Sequence, residues 1–322
     1  MSEAYLEVKN LKKYFPVAAG SLHAVDDISF TVEKGKTIGI VGESGCGKST
    51  MGRVIARLTD ATDGEVLFKG RNILDIRGSA LKNLRNEIQM IFQDPFSSLN
   101  PRKSVYSTIE EPLLIQKKFT SKQDLENKVF ELMDSVGIAQ RLAGSYPHEL
   151  DGGRRQRIGI ARALALEPEL IICDEPVSAL DVSIQAQILN MLKRLQQEHG
   201  YTYIFITHNL SVVKHFCQDV LVMYMGQMVE KAPVEELFSN PLHPYTKALL
   251  DAVPIPDIDS RRERSLIKGE ITSPIDPPLA CRFAERCAVA CEACFQVNPA
   301  LIEKNGHFVR CFRQQKEDEN KC

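Results

Sequence analysis

Short apolar runs separated by turn-forming residues occupy the first part of the chain. Apolar and polar residues alternate over residues 28–32, which is typical of a half-buried strand, and residues 6–8 predict a strand at a sheet edge. Residues 37–41 are almost continuously apolar and predict a buried central strand that leads into a glycine-rich turn. We expect a helix after that turn, as far as Ile55, and another short strand over residues 88–92.

A helical period replaces this pattern between about residues 94 and 165. Apolar residues recur at intervals of 4, 3 and 4 from Leu125 to Val136, so they share one face of a helix predicted over residues 122–136. Gly137 follows this stretch and would suit the C-terminal cap of the helix.

Strands and helices alternate again in the following segment. Apolar runs predict strands at residues 170–173, 203–206 and 220–223, and apolar spacing predicts a helix over residues 183–199. Alternation on both sides of a helical insertion predicts a parallel α/β sheet that carries an α-helical subdomain. Residues 253–280 are rich in proline, contain a run of charged residues, and predict a linker or a loosely packed crossing.

Composition narrows the class of protein. The 322 residues suggest about two domains, and 43% apolar with 25% charged residues is ordinary for a globular chain. A formal charge of −2 argues against a globally basic nucleic-acid binder, and no apolar run approaches the roughly 18 residues that cross a bilayer. The first residues lack the features of a signal peptide, so we expect a cytosolic chain. Structural disulfides are rare in the cytosol, yet six of the nine cysteines lie in residues 281–322, which marks this end as chemically distinct.

Residues 42–50 match the phosphate-loop pattern G-x-x-x-x-G-K-[ST] in full, between a predicted strand and a predicted helix. Glycines let backbone N–H groups surround phosphate oxygens, and the helix N-terminus adds a positive dipole. Lys48 would reach the β- and γ-phosphates, and the Ser49 hydroxyl would ligate Mg²⁺. The alternative, a chance glycine–serine turn, is disfavoured by the strand–turn–helix context.

Polar residues follow three other predicted strands. Asp174 would hold Mg²⁺, and Glu175 is a candidate general base for the attacking water. His208 and Gln93 end their strands where the ligand crevice of a parallel sheet lies, so both could reach the γ-phosphate or the water. The alternatives are an ordinary turn for the acidic pair and a surface or core position for the histidine.

The chain resembles ABC-transporter ATPase subunits over essentially its whole length, because these motifs occur in that family's order. They are the phosphate loop, Gln93, residues 150–157, Asp174 and Glu175, residues 178–181, and His208. The resemblance implies a P-loop NTPase (RecA-like) α/β core with an antiparallel β edge and an α-helical ABC subdomain, plus a small Cys-rich C-terminal appendage. The expected boundaries are 1–93 and 166–240 for the core, 94–165 for the helical subdomain and 241–322 for the C-terminal region.

The resemblance also implies roles for single residues. Tyr14 matches the aromatic residue on which the family stacks adenine, with a packed strand-end tyrosine as the alternative. Gln93 is expected to sense the γ-phosphate and touch the permease, Asp181 to cross the interface of two ATPase domains, and His208 to hold the hydrolytic geometry. The expected ATP contacts are Tyr14, Gly42, Ser44, Gly45, Cys46, Gly47, Lys48, Ser49 and Thr50. The expected Mg²⁺ contacts are Ser49, Gln93 and Asp174.

One motif departs from the family. The signature that completes the partner's ATP site usually reads L-S-G-G-Q, but here it reads Leu150, Asp151, Gly152, Gly153, Arg154. An ionised Asp151 can only accept hydrogen bonds, and two unit like charges about 4 Å apart repel by roughly 4 kcal/mol at an effective dielectric near 20. Arg154 and Arg155 could offset this repulsion, or Asp151 could turn away. The departure favours pairing with a different ATPase subunit.

The C-terminal region narrows the resemblance to oligopeptide and dipeptide importers. Residues 240–250 resemble a segment of those ATPases, and Cys281, Cys287, Cys294 and Cys311 match positions associated there with a [4Fe–4S] cluster, which needs four thiolates. Zn²⁺ and free thiols are the alternatives. The spare cysteine at 291 could replace Cys294, and Cys322 is expected to be free. Arg282 and Arg310 could offset cluster charge, but the favoured interpretation is a solvated surface position for both.

The leading functional prediction is an ATPase that energises import of dipeptides or oligopeptides, with ATP and Mg²⁺ as cofactors. The expected partners are a second ATPase subunit, two transmembrane permease subunits and an extracytoplasmic solute-binding protein, with no nucleic acid. The chain would then lie at the cytoplasmic face of the membrane as a peripheral subunit. The alternatives are an importer of nickel or another small solute, a non-transport ABC protein acting on DNA or ribosomes, and a P-loop kinase.

Overall fold

A computed structural model describes residues 4–252, 269 and 273–315 of the chain. Its strands are β1 (Leu6–Val17), β2 (Gly20–Val32), β3 (Thr37–Val41), β4 (Asp63–Phe68), β5 (Arg71–Asn72), β6 (Ile88–Ile91), β7 (Leu170–Asp174), β8 (Thr202–Ile206), β9 (Asp219–Tyr224), β10 (Gln227–Pro233), β11 (Ile302–Lys304) and β12 (His307–Val309). Its α-helices are α1 (Lys48–Ile55), α2 (Gly78–Glu87), α3 (Pro95–Ser98), α4 (Val105–Gln116), α5 (Lys122–Ser135), α6 (Gly152–Leu164), α7 (Val182–His199), α8 (Leu210–Phe216), α9 (Val234–Ser239), α10 (Pro244–Asp251) and α11 (Glu292–Gln296).

The chain divides into two compact units. The first contains the described residues of Met1–Leu74 and Ile206–Cys322, and the second is Asp75–Phe205. The mixed α/β architecture predicted from the sequence is confirmed, whereas the three-part division at residues 93, 165 and 240 stays a prediction.

The first unit contains an antiparallel sheet in the order β2-β1-β4-β5. Leu6 pairs with Val32 on one side and with Phe68 on the other, so the prediction of an edge strand at residues 6–8 was wrong. The reason is burial: Leu6 and Val8 are both almost completely buried, and both sides of β1 are covered by partners.

A second group of strands in the same unit has the order β11-β12-β10-β9-β3. Strand β3 pairs in parallel with β9, and the remaining pairs are antiparallel. All five residues of β3 are buried, which confirms the buried strand predicted over residues 37–41. The strand predicted over residues 220–223 and the helix predicted as far as Ile55 are also confirmed.

The predicted linker lies largely outside the described residues, as does the charged run at 261–264. Its last part is ordered against β2, because His23 N donates to Pro274 O at 2.9 Å and Asp276 N donates to Ser21 O at 2.9 Å. For this part, the prediction of a loose crossing was wrong. Across the described residues, none of the helices combines the length and the apolar character that a membrane span requires.

The second unit contains the strand order β8-β7-β6, with β6 and β7 parallel. Helix α5 buries Leu125, Val129 and Leu132 as the sequence predicted, and Gly137 adopts a positive φ of 70° just beyond its C-cap. Helix α7 confirms the helix predicted over residues 183–199 to within one residue.

Candidate nucleotide-binding site

The phosphate loop joins β3 to α1 in the first unit. Gly42 and Gly47 have φ values of +153° and +104°, which residues with side chains rarely adopt. A Cβ atom at Gly42 would lie 2.2 Å from the carbonyl oxygen of Met223, and one at Gly47 would lie 1.9 Å from that of Ala24. Glycine at both positions therefore lets the loop curl tightly between its neighbouring strands.

Lys48, the first residue of α1, folds back across the loop. Its Nζ donates to the carbonyl oxygens of Gly42 at 2.8 Å and Glu43 at 2.9 Å, and the residue is only 4% exposed. The ammonium group is thus held at the centre of the loop, where it could exchange these acceptors for phosphate oxygens. Ser49 and Thr50 follow in the first turn of α1 and are half-buried.

The remaining loop residues differ in exposure. Ser44 and Gly45 form the exposed tip. Cys46 is buried, and burial raises the pKa of its thiol, so the side chain stays neutral and packs inside the loop. The backbone of this segment is what remains available to a phosphate group.

Tyr14 lies in β1 with one ring face covered. His23 stacks on that face, with ring centroids 3.8 Å apart and planes inclined by 15°, and the Tyr14 hydroxyl donates to Asp26 Oδ1. Burial and the hydrogen bond to Asp26 raise the pKa of Tyr14, so the phenol keeps its proton. His23 therefore covers one face of the Tyr14 ring, and the hydrogen bond to Asp26 fixes its hydroxyl end.

Arg282 completes this cluster from the far end of the sequence. Its Nη2 atom donates to Asp26 Oδ2 and its Nη1 atom to Met225 O, and the side chain is 5% exposed. Burial alone would raise the pKa of Asp26, but the hydrogen bond from Tyr14 and the charge of Arg282 lower it. The expectation that Arg282 and Arg310 are solvated was wrong, because both side chains are buried and bonded to backbone carbonyls.

His208 lies just beyond β8 and is exposed. The preceding residue, Thr207, donates its N–H to Ile40 O at 3.1 Å. His208 therefore lies next to a residue that is bonded to β3, the strand that leads into the phosphate loop. Asn209 then caps α8 by accepting from Ser211 N at 3.0 Å. These contacts fix the backbone on both sides of His208.

The second unit brings Gln93 and Glu175 together. Strands β6 and β7 pair in parallel with Ile91 opposite Cys173, so the residues that follow each strand emerge at the same edge. Gln93 Nε2 donates to Glu175 Oε2 at 2.8 Å. Asp174 is 2% exposed at the end of β7, whereas Glu175 is half-buried with φ +46°, a strained value typical of functional positions.

The signature segment begins helix α6. Leu150 is buried, and Asp151 is the N-cap, with Oδ1 accepting from Arg154 N at 2.8 Å and Oδ2 lying 3.5 Å from Arg154 Nε. The Asp151 side chain remains 60% exposed. Arg155 is not available to neutralise it, since it is buried, lies 3.7 Å from the ring centre of Phe96 and donates from Nε to a backbone carbonyl. Of the two arginines proposed to offset the charge, only Arg154 is placed to do so.

Asp181 is exposed immediately before α7. The preceding turn is held by Gln185, whose Nε2 donates to Val177 O and Leu180 O at 3.0 Å each. A Cβ atom at Gly153 would lie 2.7 Å from Ile184 Cγ2, so glycine in the signature lets α6 approach the start of α7. The segments of Asp151 and Asp181 are thereby packed together.

Four free thiols of the C-terminal region line one cavity. They are Cys281, Cys287, Cys294 and Cys311. Burial raises the pKa of Cys281 to about 11. Among the described residues, no three His, Cys, Asp or Glu side chains are arranged to hold a metal ion. Cys291 does not line this cavity, but its Sγ lies 3.5 Å from Cys294 Sγ, and its proposed exchange with Cys294 stays a prediction. Cys322 lies outside the described residues.

Sequence reasoning missed several residues that support the site. Asp26 anchors Tyr14, Arg286 binds the Glu43 carboxylate, and Tyr245 accepts a hydrogen bond from the Glu43 N–H. The residue types give no signal, because each partner is chosen by the tertiary fold rather than by local spacing. A hint in the sequence was that Arg282 follows Cys281 and Arg286 precedes Cys287.

Comparison with protein-family models gives two matches. Residues 25–178 match the ABC transporter family, and residues 229–294 match the C-terminal region of oligopeptide/dipeptide transporters. Two relatives cover nearly the whole chain. The oligopeptide transport ATP-binding protein AppF of Bacillus subtilis is 52% identical over 96% of this chain and 97% of its own length. The corresponding OppF of Salmonella typhimurium is 49% identical over 96% of both chains.

A solved structure resembles part of the fold. The ATP-binding cassette MJ0796, as a dimer in a post-hydrolysis state with ADP and phosphate, is 29% identical with a TM-score of 0.65. The match covers 71% of this chain and 98% of that one. The cassette fold is thus shared.

Proposed function

The chain belongs to the ATP-binding subunits of oligopeptide and dipeptide ABC transporters, and from this membership we propose how its residues act. It is an ATPase that energises peptide import through a separate permease. The match of residues 229–294 to the peptide-transporter C-terminal region disfavours a non-transport ABC protein. No feature of the described residues favours the kinase alternative.

The observation that carries this function is the phosphate loop with Lys48 held at its centre. We assign the loop from Gly42 to Thr50 to the phosphates and Tyr14 to adenine. Ser49, Gln93 and Asp174 would hold Mg²⁺, which supplies positive charge to the phosphates and the leaving group. Glu175 is the general base, and its bond to Gln93 orients the carboxylate. His208 is assigned to holding the hydrolytic geometry.

These assignments can be tested on the complete transporter in vesicles by measuring peptide-stimulated phosphate release. Glu175→Gln keeps the shape of the side chain but removes the base, so kcat should fall by roughly 10²–10⁴-fold. Glu198→Gln, an exposed substitution in α7, is the matched control. Phosphate release that survives Glu175→Gln would contradict the assignment, and a phosphorylated product would revive the kinase alternative.

We propose that this subunit pairs with a second, different ATPase subunit, the two ATPases sharing two ATP sites through their signatures. An Asp151 carboxylate close to a γ-phosphate raises the energy of bound ATP by like-charge repulsion, which one arginine offsets only in part. The capping bond to Arg154 N and the 3.5 Å distance to Arg154 Nε support a carboxylate that is held in its present position. The site completed by Asp151 is then the weaker of the two.

This pairing predicts the effect of one substitution. Asp151→Ser keeps a capping oxygen and removes the charge, so the ATPase rate of the assembled transporter should rise. An unchanged ATPase rate would contradict the proposal that Asp151 weakens the site it completes. Arg154→Gln should act in the opposite direction, because it removes the positive charge that lies 3.5 Å from the Asp151 carboxylate.

We further propose that Cys281, Cys287, Cys294 and Cys311 hold a [4Fe–4S] cluster, with Zn²⁺ as the alternative. Four free thiols on one cavity support a four-thiolate site, and a cluster needs its ligands farther apart than a single ion does. Anaerobic purification followed by iron, sulfide and zinc assays tests the proposal. Cys311→Ser should lose the iron, whereas Cys217→Ser, a buried cysteine outside the cavity, should keep it. Zinc without iron would overturn the cluster.

The remaining proposals concern assembly. Two transmembrane permease subunits and an extracytoplasmic peptide-binding protein are the partners we propose, with this chain bound at the cytoplasmic face of the membrane. The names of the relatives as transport ATP-binding proteins support this arrangement. Co-purification of this chain with a tagged permease from detergent-solubilised membranes tests it, and loss of the chain from washed membranes that retain the permease would count against it.

A further inference from the structure

Glu43, the second residue of the phosphate loop, is bound through all its polar groups. Its carboxylate accepts two hydrogen bonds from Arg286, from Nη1 to Oε2 at 2.7 Å and from Nη2 to Oε1 at 3.1 Å. Its N–H donates to Tyr245 Oη at 2.9 Å, and its carbonyl oxygen accepts from Lys48 Nζ at 2.9 Å. Two of these three partners come from the C-terminal region of the chain. The outer side of the loop is therefore fastened to residues about 200 positions away in sequence.

The ion pair between Arg286 and Glu43 is shielded from solvent. The side chains are 10% and 22% exposed, and the hydrogen bond to Glu43 raises the pKa of Arg286. Arg286 Nη1 also contacts Tyr224 Oη at 3.3 Å, so the guanidinium is fixed from two directions. This bidentate pair of parallel hydrogen bonds fixes the orientation of the Glu43 carboxylate as well as its distance from Arg286, and a lysine could not reproduce it.

The same arginine is joined by chain and by hydrogen bond to residues that line the cysteine cavity. Arg286 directly precedes Cys287, and its N–H donates to Phe283 O at 3.1 Å. Phe283 lines the cavity and packs against both tyrosines that contact this ion pair, with ring centroids 5.2 Å from Tyr224 and 5.4 Å from Tyr245. Close-packed aromatic rings transmit a displacement because they leave no room to absorb it. The cysteine-rich segment and the phosphate loop therefore form one packed structure.

We propose that Arg286 is a positioning residue for ATP. From the cysteine-rich segment it holds Glu43, and through Glu43 it keeps the phosphate loop in the conformation whose N–H groups converge on phosphate. The inference rests on the proposed function of the loop. We call the Arg286–Glu43 ion pair the brace of the phosphate loop. Without it, a glycine-rich loop samples other conformations, and the apparent affinity for ATP falls in proportion to the fraction of molecules whose loop can bind phosphate. The brace raises affinity and leaves the chemical step unchanged.

The test compares ATP affinity with turnover. The Kd of Mg·ATP is measured by calorimetry on the full chain, and kcat and KM are measured on the assembled transporter. Arg286→Gln should raise Kd and KM about tenfold, equal to about 1.4 kcal/mol, with kcat at saturating ATP unchanged. Arg286→Lys should recover part of the loss. Glu43→Gln should raise Kd similarly, and the double variant should be little worse than either single one, because both break the same contact.

Two further variants separate positioning from stability. Tyr245→Phe keeps the buried ring and removes only the acceptor for the Glu43 N–H, so it should raise Kd about threefold in a chain that remains folded. Lys304→Gln, which removes a cation bonded to Gln314 O elsewhere in the C-terminal region, should leave Kd unchanged. Urea unfolding of each variant accompanies the binding measurements.

The outcomes are distinguishable. An unchanged Kd in folded Arg286→Gln and Tyr245→Phe overturns the inference, as does a loss of kcat and stability at unchanged Kd, which would indicate a purely structural contact. If Arg286→Gln fails to fold, the result for Tyr245→Phe decides. Failure of the unsubstituted chain to bind Mg·ATP would instead refute the proposed function itself.

Discussion

Glu230 in β10 is a completely buried carboxylate that holds the start of the C-terminal region. Its Oε1 atom accepts from Leu242 N at 2.7 Å and from His307 Nε2 at 2.7 Å, and its Oε2 atom accepts from His243 N at 3.0 Å. Burial alone would raise the pKa of Glu230, but these hydrogen bonds lower it, so the group is ionised. The segment it fixes leads directly into α10.

Glu230→Gln should destabilise the chain by about 3 kcal/mol. The glutamine oxygen can replace Oε1 and keep two bonds, but its NH₂ group then faces the His243 N–H, which loses its acceptor. One lost bond to a charged group is worth about 1.5–3 kcal/mol, and the two remaining bonds weaken to roughly half when the charge is removed. The free energy of unfolding is measured by urea titration with circular dichroism. Glu303→Gln, at an exposed position in β11, is the control.

A loss from Glu230→Gln within about 0.5 kcal/mol of the control would refute this reasoning, because that is the usual size of a surface substitution. It would mean that water or a shifted backbone satisfies the His243 N–H. A loss of ligand-free stability that ATP fully restores would point instead to a role confined to the nucleotide site.

Three other substitutions give clear expectations. Gly47→Ala should abolish binding of Mg·ATP in calorimetry, because its Cβ would lie 1.9 Å from a backbone oxygen of β2; binding within twofold of the original would contradict the proposed loop geometry. The hydrogen bond from Tyr14 and the charge of Arg282 lower the pKa of Asp26 despite its burial, so ionised Asp26 stabilises the folded chain above the unfolded pKa of about 4, and this stabilisation is lost as pH falls through the folded pKa. The difference in unfolding free energy between the original chain and Asp26→Asn should therefore shrink towards pH 3. A difference that stays constant with pH would contradict this reasoning. Arg155→Lys should lower the free energy of unfolding by about 1–2 kcal/mol, and with it the melting temperature, because it removes the flat stack on Phe96 and the bond to a backbone carbonyl. An unchanged melting temperature would show that the stack contributes nothing.

The phosphate loop was predictable because its chemistry is local. A buried strand, three glycines with positive φ and a lysine at the first position of a helix all lie within the twelve consecutive residues 37–48. The same holds for Gln93 and Glu175, since residues that follow neighbouring parallel strands must emerge at one edge. The sequence did not reveal that β1 is an inner strand, because a run of three alternating residues looks the same at an edge and at the centre of a sheet.

The contacts of the charged side chains were not predictable in this way. Arg155 and Arg154 are neighbours, yet one stacks under Phe96 while the other stays beside Asp151. Arg282 was expected in solvent, but a carboxylate 256 residues away draws it into the interior. A long side chain can point to either side of its backbone, and only the packed fold decides which partner it reaches.

Arg282 and Arg286 lie four residues apart, and each leaves the cysteine-rich segment to bind a carboxylate in the nucleotide half of the first unit. Arg282 reaches Asp26, which anchors Tyr14, and Arg286 reaches Glu43 in the phosphate loop. If the segment were only an appendage, removing it would leave the nucleotide contacts intact. Instead, removal would leave two largely buried carboxylates without the arginines that bind them, which is far more costly than losing surface ion pairs. On the proposed assignments of Tyr14 to adenine and of the loop to the phosphates, both sides of the site would be loosened together, so we expect removal of the segment to weaken nucleotide binding.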